Sequence, residues 1–180
     1  MKKILAAISI SLFLNTAFAE IQNTSLNENM LLAAKGDAKA QYNLGNAYYS
    51  GEGVPQDYAT SAYWLRKAAD QGDAKAQYNL GNAYYDGEGV PQDYATAASW
   101  FRKAADQGLA DAQYNLAAMY DNGKGVPKNP TTAAYWYRKS ADQGNAKAQS
   151  NLAAMYYNGE GITQDYATAA SWFRKAADQG

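Results

Sequence analysis

Residues 38–73 read AKAQYNLGNAYYSGEGVPQDYATSAYWLRKAADQGD, and residues 74–109 repeat them with five changes: Ser50/Asp86, Ser61/Ala97, Tyr63/Ser99, Leu65/Phe101 and Asp73/Leu109. Residues 110–145 and 146–180 continue the 36-residue period in register. Self-similarity at this spacing marks a stacked array, because no single unit can bury its own apolar face and each relies on its neighbours. The expected fold is therefore an all-α solenoid of four repeats.

Each unit reads as a helix pair. In the first copy Asp37 stands at an N-cap position, Ala40, Leu44, Ala47 and Tyr48 recur at helical spacing, and Gly51 suits a left-handed helix end. This predicts helix A over residues 38–50. Two glycines and Pro55 then break the pattern, Asp57 caps the next helix, and helix B is expected over 58–71. In copy three Asn129-Pro130 replaces Asp57-Tyr58, placing a capping residue directly before a proline at the first helical position. Asp73 and Asn145 can cap the following A helices, whereas Leu109 cannot, so the second-to-third junction is expected to be the weaker one. Residues 28–36 read like the end of a B helix, since Ala33-Ala34-Lys35-Gly36-Asp37 matches Ala69-Asp70-Gln71-Gly72-Asp73. They predict a half-unit that covers the first A helix, within an N-terminal segment of residues 20–37.

The first 19 residues have the order of a secretory signal peptide: Lys2 and Lys3, a mostly apolar run over 4–14, and a small-residue Ala17-Phe18-Ala19 cleavage site. The expected mature chain starts at Glu20 and is exported, periplasmic or secreted, with no insertion in the membrane after cleavage. Loss of Lys2 and Lys3 takes the 16 basic residues to 14 against 17 acidic ones, a net charge of −3. That balance offers no electrostatic footprint for nucleic acid. Cysteine is absent, so stability has to come from packing along the array rather than from disulfides.

The pattern of Ala38, Ala40, Leu44, Gly45, Tyr48, Gly51, Gly53 and Asp57, continued by Ala62, Trp64, Lys67, Ala68, Ala69, Gln71 and Gly72, resembles the Sel-one-like repeat (SLR) family, a relative of the tetratricopeptide repeat. The likeness spans residues 38–180, with Ala117 and Ala153 in place of the repeat glycine and Ile162-Thr163 in place of Val-Pro. The resemblance implies a right-handed superhelix of antiparallel helix pairs with a concave face for protein or peptide partners. It also implies adaptor roles in envelope processes, cell-wall enzyme complexes or host interaction. Cysteine-rich secreted relatives linked to penicillin binding and β-lactamase activity supply a rival reading, a penicillin-recognising hydrolase.

Chemistry in the residues argues against catalysis. Histidine and cysteine are both missing, which removes the commonest general base, soft-metal ligand and thiolate nucleophile together. Ser99 and Ser171 are followed at Ser-x-x-Lys spacing by arginine, which cannot serve as a base. The loop glycines lack the run of a phosphate cradle and the alternating acids of a calcium loop, so they read as turns; no cofactor or metal is expected. Trp64, Trp100, Trp136 and Trp172 recur beside Ala62, Ala98, Ala134 and Ala170, which predicts large-on-small packing between helices. Arg66-Lys67 and their repeats are expected to form a solvated B-helix face.

The candidate site is the A-helix side opposite the core stripe, where positions i, i+3, i+7 and i+10 share one face. Copy one presents Lys39, Tyr42, Asn46 and Tyr49 there, and copy two Lys75, Tyr78, Asn82 and Tyr85. Copy three changes to Asp111, Tyr114, Ala118 and Asp121, and copy four to Lys147, Ser150, Ala154 and Tyr157. By resemblance to tetratricopeptide arrays this face is the concave one. Tyrosines, amides and lysines suit an extended peptide, with a cell-wall glycan as the alternative ligand. Asn43, Asn79, Asn115 and Asn151 recur in every copy and read as structural or backbone-contact groups. The last B helix, with Trp172, has no polar helix after it in the sequence, so that end is expected to leave apolar area for a partner or a second copy of the chain.

Overall fold

The computed structural model of the chain describes residues 26–179. The expected signal peptide and the start at Glu20 lie outside the described residues. Helix α1 is present over 26–34. Four A helices follow, α2 (Ala38–Ser50), α4 (Ala74–Asp86), α6 (Ala110–Asn122) and α8 (Ala146–Asn158). They alternate with four B helices, α3 (Tyr58–Asp70), α5 (Tyr94–Asp106), α7 (Pro130–Asp142) and α9 (Tyr166–Ala177). Each helix packs mainly on its neighbours in the chain, and among the described residues there is no strand. The fold is an all-α solenoid.

The helix limits follow from local chemistry. Asp37, Asp73 and Asn145 each accept a bond from a backbone N–H of the A helix they precede, at 2.7, 2.8 and 2.9 Å. Leu109 accepts none, and its side chain is half-buried against the central core. Helix B ends one residue before the expected limit, with Gln71 as its C-cap. At the head of α3, Asp57 takes bonds from the N–H groups of Ala59 and Thr60 and from the Thr60 hydroxyl.

Those bonds hold Asp57, Asp93 and Asp165 below the ordinary carboxylate value of 3.8, with the threonine hydroxyl the largest cause at each. A folded value below the unfolded one means the stabilisation is complete above pH 3.8 and disappears as pH falls through the folded value. Asn129 caps α7 at the same position without titrating. Acidification through this range should therefore reduce amide-exchange protection in the first turns of α3, α5 and α9 while α7 keeps its own. Equal loss at all four helices would show that the caps are not the cause.

Two ladders join the units. Gln41, Gln77, Gln113 and Gln149 are buried, each donating at 3.1 Å to a carbonyl of the preceding B helix or of α1. Their side-chain oxygens accept in turn from Gln71, Gln107, Gln143 and Gln179 at 2.7 to 2.8 Å. The Gln41 bond to Ala33 matches the Gln77 bond to Ala69, so α1 covers the first A helix as a B helix would. In the second ladder the Arg66 guanidinium donates to the Tyr84 hydroxyl and Arg102 to that of Tyr120, one unit on. Arg66 and Arg102 of the expected solvated face thus reach the next A helix, Arg66 while remaining exposed, and Arg174 is exposed at the end of the array. The lysines beside them stay exposed and lie over rings, Lys103 on Trp100 at 3.7 Å and Lys175 on Trp172 at 4.0 Å.

The apolar core runs along the stack. Trp100, Trp136 and Trp172 are buried among alanines, leucines and methionines. Trp64 is only half-buried, against the smaller group of Ala33, Ala40 and Leu44. At the far end Phe173 is 44% exposed, where its equivalent Phe101 is 1%.

Candidate functional site

Because Ala40, Leu44 and their repeats point into the core, the opposite side of each A helix is left facing out. Three cavities follow that side. One of about 130 Å³ between the first two units includes Asn46, Tyr49 and Asn82. One of about 590 Å³ between the second and third includes Asn82, Tyr85 and Tyr114, and one of about 310 Å³ includes Tyr78, Asp111, Tyr114 and Lys147. The first two cavities share Asn82 and the last two share Tyr114, so side chains spread over more than a hundred residues of sequence line adjoining spaces.

The remaining predicted residues line none of the three cavities. Lys39 lies 4.8 Å over the Tyr42 ring, and Tyr42 itself packs on the cluster of Leu65 and Leu80. Lys75 is exposed. Asp121 is half-buried, and that burial, with Glu160 nearby, lifts its carboxyl above the usual range against the pull of Lys128. Tyr157 is exposed and meets Tyr166 with ring centroids 5.2 Å apart.

The tyrosines of this face are anchored rather than free. Tyr78 packs on Phe101 at 5.8 Å and Tyr114 on Tyr137 at 5.9 Å, so both rings touch the core while also lining a cavity. The asparagines link the A helices: Asn79 donates to the Asn46 side chain at 2.8 Å and Asn115 to that of Asn82 at 3.3 Å. In the third unit Ala118 stands where Asn46 and Asn82 stand, and Asn151 bonds instead to the buried Tyr137 phenol. Burial is the main cause that raises the Tyr137 pKa.

In the first, second and fourth units the A-helix end meets the start of its own B helix through an aromatic pair, Tyr49 with Tyr58 at 5.3 Å, Tyr85 with Tyr94 at 5.1 Å and Tyr157 with Tyr166, whereas the third unit has Asp121 and Pro130 there. The loop of the next unit reaches over that pair. Glu88 hydrogen-bonds Tyr49, raising the phenol pKa above its ordinary value. One unit on, the ammonium of Lys124 lies 4.2 and 4.0 Å from the Tyr85 and Tyr94 ring centroids and donates to the Tyr85 hydroxyl at 3.0 Å.

The Sel1 repeat family model matches residues 38–73, 74–109, 110–145 and 146–180. The chain belongs to the Sel1 repeat family. Proteins of this family are generally scaffolds for protein–protein interaction. Among solved structures, the chain is similar to c5321, a protective antigen present in uropathogenic Escherichia coli strains that displays an SLR fold. They share 43% identity and a TM-score of 0.83, over 86% of this chain and 33% of that one. It is also similar to a Sel1 repeat protein from Oxalobacter formigenes, at 35% identity and a TM-score of 0.83, over 88% of this chain and 65% of that one. A sel1-like repeat-containing protein of Acanthamoeba polyphaga mimivirus is 49% identical over 45 residues, 24% of this chain and 8% of that protein. The chain thus spans a third of c5321 and under two thirds of the Oxalobacter protein.

Within these Sel1 repeats, pattern reading missed the side chains that the B helices and loops bring to the face: Tyr58, Ser61, Glu88, Tyr94 and Lys124. A signal for them was present. The first loop position reads Glu52, Glu88, Lys124 and Glu160, a reversal of charge at one point in otherwise near-identical loops.

Among the described residues, no helix is long and apolar enough to cross a membrane.

Proposed function

We propose that this Sel1 repeat chain is an exported scaffold that binds a protein or peptide partner along the open side of its A helices. The observation that carries the reading is the row of three cavities along that side, into which tyrosine, asparagine, lysine and aspartate side chains converge from successive units. Half-buried tyrosines offer contact area with little rotamer entropy left to lose, and side-chain amides can pair with an extended backbone. Export is supported by the order of residues 1–19.

The test is crosslinked capture of partners in the native compartment by the wild-type chain and by a triple variant, Lys75→Ala, Asp111→Ala and Lys147→Ala. All three residues are exposed, so the fold should survive the change. Loss of three rim charges is expected to weaken capture by about tenfold. Undiminished capture would move the binding site off this face.

A further inference from the structure

The cavity between the first and second units contains a buried hydroxyl that faces no partner. Ser61 is 2% exposed, it lines the cavity, and its Oγ makes no hydrogen bond. Buried hydroxyls are nearly always paired, and the equivalents Ala97, Ala133 and Ala169 carry none. The volume, about 130 Å³, suits the end of a single side chain, since an apolar cavity of about 150 Å³ takes one benzene ring. No lysine or arginine lines it, and its charged lining residue is Glu88.

The next junction shows what such a place accepts. There the ammonium of Lys124 covers the Tyr85–Tyr94 pair, and both rings are half-buried. At the first junction the same pair, Tyr49 and Tyr58, has a carboxylate from the loop in place of that ammonium, and the rings are 47% and 37% exposed. Ring faces, a carboxylate bonded to the Tyr49 hydroxyl and a serine hydroxyl without a partner together make a set open to a further donor.

We propose that this cavity binds a lysine side chain of the partner protein, with the ammonium against the Tyr49 and Tyr58 rings, donating to Glu88 and to the Ser61 hydroxyl. The assignment rests on the scaffold reading and specifies the partner's chemistry. Lys124 is the chain's own occupant of the second junction; the first is left for a lysine from outside.

The experiment titrates the isotope-labelled full chain with the acetylated, amidated peptide Gly-Gly-Lys-Gly-Gly and with its norleucine analogue, followed by NMR. The lysine peptide should shift resonances of Tyr49, Tyr58 and Ser61, and the norleucine peptide should not. Glu88→Lys copies the loop residue of the second junction, so it should fold normally and weaken binding by about tenfold or more. Ser61→Ala, which copies the other three units, should weaken binding by roughly threefold without lowering the melting temperature. Equal response to both peptides, shifts confined to other residues, or unchanged binding in Glu88→Lys would overturn the lysine assignment. Failure of the peptide with partner capture by the wild-type chain intact would leave the scaffold reading standing; absence of capture by the wild-type chain would overturn that reading itself.

Discussion

Gly125→Ala is expected to cost about 3 to 5 kcal/mol, the sum of left-handed strain and steric overlap with a neighbouring backbone. Gly125 has φ +71, and a Cβ there would lie 2.3 Å from the carbonyl carbon and oxygen of Tyr94, at the start of the preceding unit's B helix. Backbone at a helix start cannot rotate aside as a side chain can. Gly89 against Tyr58 and Gly161 against Pro130 repeat the contact, so the loop glycine seats each unit on the one before it. Gly108→Ala is the matched comparison: φ is +93 but nothing lies within 4 Å, so strain alone, roughly 1 to 2 kcal/mol, should be lost. Denaturant unfolding of both variants measures the difference. Because stability in a stacked array is carried by nearest-neighbour contacts, the Gly125 variant should also unfold in two steps that divide at the second junction. Equal costs for the two variants would show that the close approach is not what demands glycine.

Trp100→Ala is expected to cost about 3 to 5 kcal/mol, through lost transfer energy and the cavity left behind. The ring is 8% exposed and lies with Leu65, Ala68 and Ala69 of α3 and Ala76 and Leu80 of α4, so it ties two units together. Trp64→Ala should cost clearly less, since that ring is half-buried against a smaller group. Thermal melting compares them. Matching midpoints for the two variants, or a Trp100 variant that melts like wild type, would contradict the assignment of Trp100 to the inter-unit core.

Particular residues show where pattern reading succeeds. Asp37, Asp57, Asp73 and Asn129 were legible as caps because a side chain and the N–H groups it accepts from are two or three positions apart. The polar A-helix side was legible because a period of 3.6 sorts residues onto faces with no knowledge of the neighbours. Gln41 was not, since a glutamine in a helix reads as surface; its burial depends on the carbonyl of Ala33 and the side chain of Gln71, eight and thirty residues away. Leu109 was legible as a missing cap but not as a residue packed on the core.

The repeat, the helix starts and the all-α class were determined by the sequence alone, because caps, glycines and apolar periodicity act within a few residues and each unit then restates the answer. Tertiary structure alone decided which polar groups are engaged and which are open. Lys124 and Glu88 occupy the same loop position, yet one covers the tyrosine pair of the preceding unit and the other leaves the pair before it exposed. The physical reason is distance along the chain: Tyr85 and Lys124 are 39 residues apart and meet only when neighbouring units stack.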